Sequence, residues 1–427
     1  MCLSLASSCC TSISCKLCHN VHSNLANITR FYYGMMLMFS TMISTLMLSD
    51  WVSHEMKDVL SKYWFHDFIN HPTIPKEVIG SLTVFRVMSG VFLFHILFSS
   101  ILVNVKYTSD KRSIIHNDGM GLKMILYLFM ITSMFFLPSN IFIYLSTWPF
   151  KVGGSCFILL QNVFMINFVY DLYEYLIDLA DKQSNEITDH TKIIWANWIS
   201  LFLTITGYLV TISSFIILAL HEKNCSQMTL FSGLNMIMMF IVSGLSISNF
   251  VRDAPNGSGY LNCIFQSSLI SGYASYQIIS SFMNHPNIDC HLWDENHQMI
   301  NKSIHLILTF IVIIWSTIRS GSNNFLINND QLLPLEHEDD DHTLVTYSYS
   351  QFHIMFSLAS LYIANILTHW GNINMELGEG TENPFQIGIY DSEVSVWIKL
   401  CSSLTCYLFY LWVMLAPPLF PSRDFNN

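Results

Sequence analysis

Charged side chains are scarce in this sequence. Asp, Glu, Lys and Arg make up 11% of its 427 residues, against about 25% in a typical soluble protein. A soluble chain of this length would need a charged surface around its core, so the shortage excludes a water-soluble globular protein. Hydrophobic residues make up 52% of the chain and its mean hydropathy is +0.41. We therefore expect lipid to be the outer solvent of this protein.

Basic charge and enzyme motifs are lacking as well. The formal net charge of -11 excludes nucleic acid as an expected partner. The sequence has no convincing Ser-His-Asp order, phosphate-binding loop or pair of carboxylates, so we expect no enzyme, no catalytic residue and no cofactor. His95, His305 and His353 are isolated and have no partner at metal-ligand spacing. We expect them to be packing residues and expect no metal site.

Long apolar segments are abundant. A helix needs about 20 mostly apolar residues to cross the hydrocarbon core, and ten segments qualify. The sequence therefore predicts an all-α polytopic membrane protein with about ten transmembrane helices. The predicted spans begin near Phe31, Leu82, Gly121, Val152, Ile193, Thr229, Leu261, Ile304, Ser350 and Val394.

Basic residues favour the loops on one side of these spans, which predicts cytoplasmic termini. In this orientation Cys225 and Cys290 both face outward, where a disulfide can form. The sequons at Asn224 and Asn301 also face outward and are candidates for glycosylation. Cysteines near the N-terminus fit palmitoylation at least as well as zinc binding; they are Cys2, Cys9, Cys10, Cys15 and Cys18.

The fourth predicted span carries a polar stripe, formed by Asn167, Asp171, Glu174 and Asp178. Their spacings of 4, 3 and 4 residues put these side chains on one face of a helix. Acidic groups at membrane depth are costly and should face a bundle interior or water. The stripe therefore predicts either a hydrophilic seam for ions or lipid headgroups, or a helix end that extends past the headgroups.

Two basic residues fall within predicted spans. Arg86 and Lys399 could each pair with the polar stripe, bind a lipid phosphate, or extend to the membrane interface. Both lie near the outer ends of their spans, which favours the interface. We nevertheless count both as candidate seam residues.

The seventh predicted span is unusually polar. Close packing with hydrogen bonds between helices is the favoured explanation, and a groove for headgroups is the alternative. Its polar residues are Gln266, Ser267, Ser268, Ser271, Tyr273, Ser275, Tyr276, Ser280 and Ser281.

Short motifs along nearly the whole chain resemble the serine incorporator family. Those of the last third are highly specific, whereas the middle of the chain carries weaker matches such as FLP at 136–138, CFIL at 156–159, and His116 with Asn117. The specific motifs are VTYSYS at 345–350 followed by Phe352 and His353, LASLY at 358–362, VWIK at 396–399, LAP at 415–417 and RDF at 423–425.

The resemblance implies ten spans in two helical bundles joined by a long tilted helix, which the fourth span would provide. It also implies a role in phospholipid scrambling, or in supplying serine to phosphatidylserine and sphingolipid synthesis. The family usually has an acidic residue where this chain has Asn167, and a Cys pair in the first outer loop that residues 50–80 lack.

Five stretches follow from these features. They are a Cys-rich cytoplasmic N-terminus at 1–30, a first bundle with the linking helix at 31–182, spans five to eight at 183–320, an acidic loop at 321–349, and spans nine and ten with a short tail at 350–427.

Three functions remain open. A lipid-handling protein would use Asn167, Asp171, Glu174 and Arg86 as a seam for headgroups, with membrane phospholipids such as phosphatidylserine as its partners. A carrier for serine or another small polar solute would need a closed central site, whereas a scaffold would recruit lipid-synthesis enzymes through its loops. A homo-oligomer is also open, as is the choice between the plasma membrane and the ER, Golgi or endosomes.

Overall fold

Helices dominate the structure, a computed structural model. It describes residues 12–49, 52, 76–181, 190–221, 225–253, 264–283, 285–292, 295–319, 345, 347–376, 386–390 and 392–420. The helices are α1 (Ser12–Met47), α2 (Lys76–Ile101), α3 (Lys111–Asn117), α4 (Met120–Ser133), α5 (Ser139–Thr147), α6 (Pro149–Asp181), α7 (His190–His221), α8 (Ser226–Ile247), α9 (Asn249–Arg252), α10 (Ile264–Phe282), α11 (Glu295–Arg319), α12 (Tyr349–Leu367) and α13 (Glu393–Leu419).

The apolar segments form helices because a helix satisfies its own backbone hydrogen bonds in lipid. Six of these helices are long and apolar enough to span a membrane, and the pair α3 and α4, bent by 73°, would be a seventh. An all-α polytopic membrane fold is therefore confirmed. A helix lies at each of the ten predicted positions, but within the described residues the count of ten spans remains a prediction.

Local sequence explains where several helices begin and end. Asp110 caps α3, because its carboxylate accepts the backbone N–H of Arg112 at 2.9 Å. Gly119, with φ of +74°, provides the left-handed residue between α3 and α4. Pro138 has no N–H to donate, and the helical segment ends just before it at the 3-10 turn Met134–Phe136.

A short hairpin was not predicted. Strands β1 (Asn372–Glu376) and β2 (Gln386–Tyr390) pair antiparallel, with Asn372 opposite Tyr390. Two five-residue strands lie outside the apolar segments, so the search for long hydrophobic stretches could not find them.

The chain divides into two compact units. Unit 1 comprises Met1–Asn70, Ile79–Phe142 and Ile313–Ala364, and unit 2 comprises His71–Val78, Ile143–Val312 and Asn365–Asn427. The five stretches expected from the sequence do not coincide with these units. In particular, α6 belongs to unit 2, although the expected first bundle at 31–182 includes it.

In unit 1, α2 packs closely against α4. A Cβ at Gly90 of α2 would lie 2.5 Å from the Cα of Ile131 in α4, so only glycine allows this approach. Phe94 of α2 meets Tyr127 of α4 edge to face at 5.0 Å. The α2 residues around this contact are almost completely buried.

Unit 2 is built around α10. Fifteen of the nineteen residues of this helix are buried, and it packs against α6, α7, α8 and α13. Gly207 of α7 and Gly272 of α10 permit the closest approach, because a Cβ at Gly207 would lie 2.6 Å from the carbonyl oxygen of Ser268. Small residues at a helix crossing are typical of membrane bundles.

The sulfur atoms of Cys225 and Cys290, the pair singled out in the sequence, are bonded in unit 2. Their Cα atoms are 5.2 Å apart. The bond joins the start of α8 to the segment after α10 and lies in an apolar cluster with Phe231, Phe282 and Leu292.

Candidate functional site

The polar stripe lies on the outer face of α6 with respect to the core of unit 2. Ile166, Val169 and Leu176 of the same helix are buried in that core. Asn167 and Asp171 are partly exposed and Glu174 is exposed, which places the stripe on the opposite side of the helix. The side chain of Asp178 lies outside the described residues. The stripe therefore combines amide and carboxylate groups on the surface of a candidate membrane span, Pro149–Ile177.

Arg86 is completely buried in unit 1. Its guanidinium donates hydrogen bonds to the carbonyl oxygens of Met134 and Leu137 at 3.1 and 2.8 Å, and to the hydroxyl of Ser139 at 2.9 Å. These acceptors lie where the chain breaks at Pro138. The expectation that Arg86 extends to the membrane interface is wrong, because the broken helix offers it carbonyl acceptors inside the unit.

Lys399 is also buried, in unit 2, with 3% of its surface exposed. Its ammonium donates to the carbonyl oxygen and the hydroxyl of Ser280, each at 3.1 Å. The same hydroxyl lies 2.6 Å from Nε2 of His305. The expectation of an interfacial lysine is therefore wrong, because the polar helix α10 provides acceptors in the interior.

Asn301 belongs to the same polar group. Its Nδ2 donates to the Ser280 hydroxyl at 3.1 Å, and its Oδ1 accepts the hydroxyl of Tyr276 at 3.0 Å. Only 4% of Asn301 is exposed, so an attached glycan has no room and the predicted glycosylation at this residue is wrong. Asn224, the other candidate, lies outside the described residues.

Hydrogen bonds between helices account for the polar character of α10. Gln277 donates to Oδ1 of Asn162 at 2.9 Å, and Asn162 donates to the carbonyl oxygen and the hydroxyl of Ser402, each at 3.0 Å. Nearby, Nδ2 of Asn235 donates to Ser275 at 2.8 Å. The favoured explanation of the polar seventh span is thus confirmed.

The candidate seam residues occupy different parts of the fold. Asn167, Asp171, Glu174 and Lys399 belong to unit 2, whereas Arg86 belongs to unit 1. Within unit 2, the stripe faces away from the core and Lys399 lies in the interior. Five polar residues chosen for their rarity in apolar segments thus prove to have different environments.

A histidine cluster in unit 1 was missed. His353 lies within hydrogen-bond distance of both His95 and His116, and His116 lies within hydrogen-bond distance of Tyr347, although His95 and His353 are 258 residues apart. Searching for ligand spacing finds only local clusters, so these residues looked isolated. His116, His353 and Tyr347 all fall in motifs that resemble the serine incorporator family, which was the available signal.

Comparison with known proteins gives a consistent result along the chain. The family model described as "Serine incorporator (Serinc)" matches residues 4–334 and 328–423. A "Probable serine incorporator" of Nematostella vectensis is 27% identical, with 97% of this chain and 94% of that protein covered. "Serine incorporator 3" of Mus musculus is 24% identical, with 98% and 96% covered. "Membrane protein TMS1" of Saccharomyces cerevisiae is also 24% identical, with 98% and 95% covered.

Proposed function

Because this chain belongs to the serine incorporator family, we propose that it handles membrane lipids and lets phospholipid headgroups cross the bilayer along the polar stripe of α6. The names of its relatives speak of serine incorporation. Support of serine incorporation into phosphatidylserine and sphingolipids is therefore a second part of the proposal. The observation that supports headgroup passage most directly is the exposure of polar groups on a spanning helix.

The energetic argument concerns the cost of polar groups in lipid. A carboxylate at the centre of a membrane helix costs about 2.5–3.5 kcal/mol on insertion scales. Asp171 and Glu174 lie outside the buried core of unit 2, on the surface of this helix. A passing headgroup would lower this cost, because the ammonium group of phosphatidylserine or phosphatidylethanolamine can donate hydrogen bonds to carboxylate and amide oxygens.

The length of the stripe is sufficient to help a headgroup on part of its way. Seven residues separate Asn167 from Glu174, which is about 10 Å along a helix. The hydrocarbon core is about 30 Å thick. The stripe thus replaces lipid by polar contacts over about a third of the crossing, while the acyl tails stay in the bilayer.

Reconstitution tests this proposal. The purified protein is placed in liposomes containing fluorescent phosphatidylserine or phosphatidylcholine, and loss of signal is followed after a membrane-impermeant quencher is added. We expect the protein to accelerate exchange between leaflets, and the double substitution N167L and D171L to slow it by about tenfold. Leu159→Ala, on the exposed part of the same helix outside the stripe, is the control. Exchange no faster than in empty liposomes contradicts the proposal.

A carrier for serine or another small polar solute is the second candidate. It is favoured by the buried amides of unit 2, of which Gln277 has an Oε1 without a hydrogen-bond partner among the described residues. Such groups could hold a solute within the bundle. This function requires saturable uptake of labelled serine that Gln277→Leu abolishes while leaflet exchange stays unchanged; the stripe variant should have the opposite pattern.

A further inference from the structure

Three imidazoles and a phenol form one hydrogen-bonded chain inside unit 1. Nδ1 of His95 lies 2.9 Å from Nδ1 of His353, and Nε2 of His353 lies 3.2 Å from Nδ1 of His116. Nε2 of His116 lies 2.7 Å from the hydroxyl oxygen of Tyr347. Each histidine is less than 1% exposed and Tyr347 is 6% exposed. We call these four residues the histidine chain.

A metal ion shared by the three histidines is excluded by the ring nitrogens that form their contacts. His353 presents Nδ1 to His95 and Nε2 to His116. A metal ion bound between His95 and His353 would therefore be on the opposite side of the His353 ring from His116. His353 thus offers a different nitrogen to each of the other two rings, whereas three ligands of one ion converge on a point.

The chain can be fully bonded only if its tautomers agree. A neutral imidazole has one N–H donor and one acceptor nitrogen. If Tyr347 donates to His116, then His116 must donate to His353 and His353 to His95, and His95 carries its proton on Nε2. The reverse order is also fully bonded, with every proton on the other nitrogen. The same four side chains thus have two equivalent arrangements that differ in direction.

Two cations lie beside the His116 and Tyr347 end of the histidine chain. Nζ of Lys123 donates to the carbonyl oxygen of His116 at 2.6 Å, and the guanidinium of Arg30 lies 4.3 Å from the centre of the Tyr347 ring. Asp118 faces Lys123. These positive charges disfavour an additional proton on an imidazole, so concerted transfer through neutral rings is favoured over a long-lived imidazolium. The other titratable groups at the cluster are the phenols of Tyr33, Tyr127 and Tyr349.

Tyr347 forms the end of the histidine chain that lies outside the membrane-spanning helices. It lies in the segment before α12, outside the membrane-spanning helices, and the adjacent Val345 donates its N–H to the carbonyl oxygen of Lys106 in the loop after α2. Burial raises the pKa of Tyr347, which keeps the phenol protonated and able to donate to His116.

Further buried polar atoms lie beyond His95, the end of the histidine chain opposite Tyr347. Among the described residues, Nε2 of His95 and the hydroxyls of Ser89 and Ser44 are buried without a hydrogen-bond partner. The rings of Tyr33 and His95 are 6.0 Å apart, and Leu48 lies 3.1 Å from where a Cβ of Gly80 would be. Helices α1 and α2 are therefore antiparallel.

Each residue advances a helix by about 1.5 Å. Ser44 and Ser89 therefore both lie, along the helix axes, between the contact of Tyr33 with His95 and the contact of Leu48 with Gly80. Buried polar groups without a protein partner are where water enters a protein interior. The unpartnered atoms thus extend the polar interior of unit 1 from the level of His95 toward the other end of α2.

We propose that unit 1 conducts protons, with the histidine chain as its relay and water bridging Ser89 and Ser44 beyond His95. A proton from water binds the oxygen of Tyr347 as its own O–H proton passes to Nε2 of His116. Nδ1 of His116 then gives a proton to Nε2 of His353, and Nδ1 of His353 gives one to Nδ1 of His95. Nε2 of His95 releases its proton to water, so one proton enters and one leaves. The histidine chain is left in the reverse order, and rotation of its rings and of the Tyr347 hydroxyl must restore the first order before another proton can pass in the same direction.

Proton flux in liposomes tests the relay. The full-length protein is reconstituted with a pH-sensitive dye inside, and a potassium gradient with valinomycin sets the membrane potential. We expect wild-type protein to carry protons faster than empty liposomes, and Y347F to lower this flux at least about tenfold. The matched control is Y349F, because Tyr349 stacks on His116 at 4.2 Å but its hydroxyl accepts a hydrogen bond from Asn117 outside the chain. Both variants should keep the wild-type rate of lipid exchange.

Each result has a consequence. Wild-type flux equal to that of empty liposomes overturns the relay, as does Y347F with unchanged flux. If Y347F fails to fold, 15N NMR of histidine-labelled wild-type protein decides. The relay requires one protonated and one bare nitrogen on each ring, with coupling across the His95–His353 and His353–His116 bonds. Absence of that coupling refutes it.

Discussion

The two units bury polar side chains of different chemistry. The bonds that cross between helices in unit 2 come mostly from amides and hydroxyls, such as Asn162, Gln277 and Asn235. In unit 1 the central polar chain consists of imidazole and phenol rings. An amide has fixed donors and acceptors and so specifies one arrangement of helices, whereas an imidazole exchanges the two roles between its nitrogens. Buried hydrogen bonds thus specify helix packing in unit 2, whereas in unit 1 they permit the proposed proton transfer.

Both units have a glycine at which two helices pack closely. Replacing this glycine should lower stability more than any other change proposed here. A Cβ would lie 2.5 Å from the backbone of Ile131 at Gly90 and 2.6 Å from the backbone of Ser268 at Gly207. Backbone atoms of a packed helix cannot move aside locally. We expect G90V and G207V each to cost about 3 kcal/mol, measured as loss of monodisperse protein and of thermal stability in detergent.

A matched glycine tests the cause. Gly233 of α8 has no atom within 4 Å of its added Cβ, so G233A should be neutral or slightly stabilising. If G90V were tolerated while G207V was not, close packing would be essential in unit 2 alone.

Acidification should destabilise unit 2 through two histidines outside the membrane spans. Burial lowers the pKa of His285, and burial lowers the pKa of His369 to about 3. An unfolded histidine binds a proton below pH of about 6.5, while the folded one stays neutral. Stability is therefore full above that pH and falls as the pH drops toward the folded pKa, by at most about 1.4 kcal/mol per pH unit for each histidine.

Thermal unfolding in detergent between pH 7.5 and 5 measures this slope. His369 has φ of +54°, a conformation that asparagine tolerates, so H369N is the suitable variant. We expect it to flatten the slope. An unchanged slope would show that protonation of His369 has no part in the acid sensitivity of unit 2.

The sequence predicted the parts of this fold that depend on composition and period. Apolar segments located each long helix, and the spacings of 4 and 3 residues placed Asn167, Asp171 and Glu174 on one face of α6. Arg86 and Lys399 were misjudged because their acceptors, carbonyl groups at the Pro138 break and at Ser280, belong to distant segments. The histidine chain was missed for the same reason. Contacts between residues far apart in sequence depend on how helices pack, which one sequence does not reveal.

The smallest predicted effect compares one buried phenol from each unit. Tyr407 donates to Oδ1 of Asn235 at 2.9 Å, and the hydroxyls of Tyr127 and Ser40 are 2.7 Å apart. In Y407F the amide oxygen of Asn235 loses this donor while its Nδ2 remains held by Ser275, so it cannot turn to a new partner. Y127F also removes the bond that the Tyr127 hydroxyl donates to the carbonyl oxygen of Met36 at 3.1 Å, but this carbonyl belongs to helix α1, and the Ser40 hydroxyl can rotate to a carbonyl of the same helix.

We therefore expect Y407F to cost about 1 kcal/mol and Y127F about half of that, near the average of about 0.6 kcal/mol for side-chain hydrogen bonds in membrane proteins. Thermal stability of the two variants in the same detergent measures the difference. Equal losses would mean that fixed amides do not specify packing in unit 2 more strongly than hydroxyls do in unit 1, which would remove the distinction between the two polar interiors.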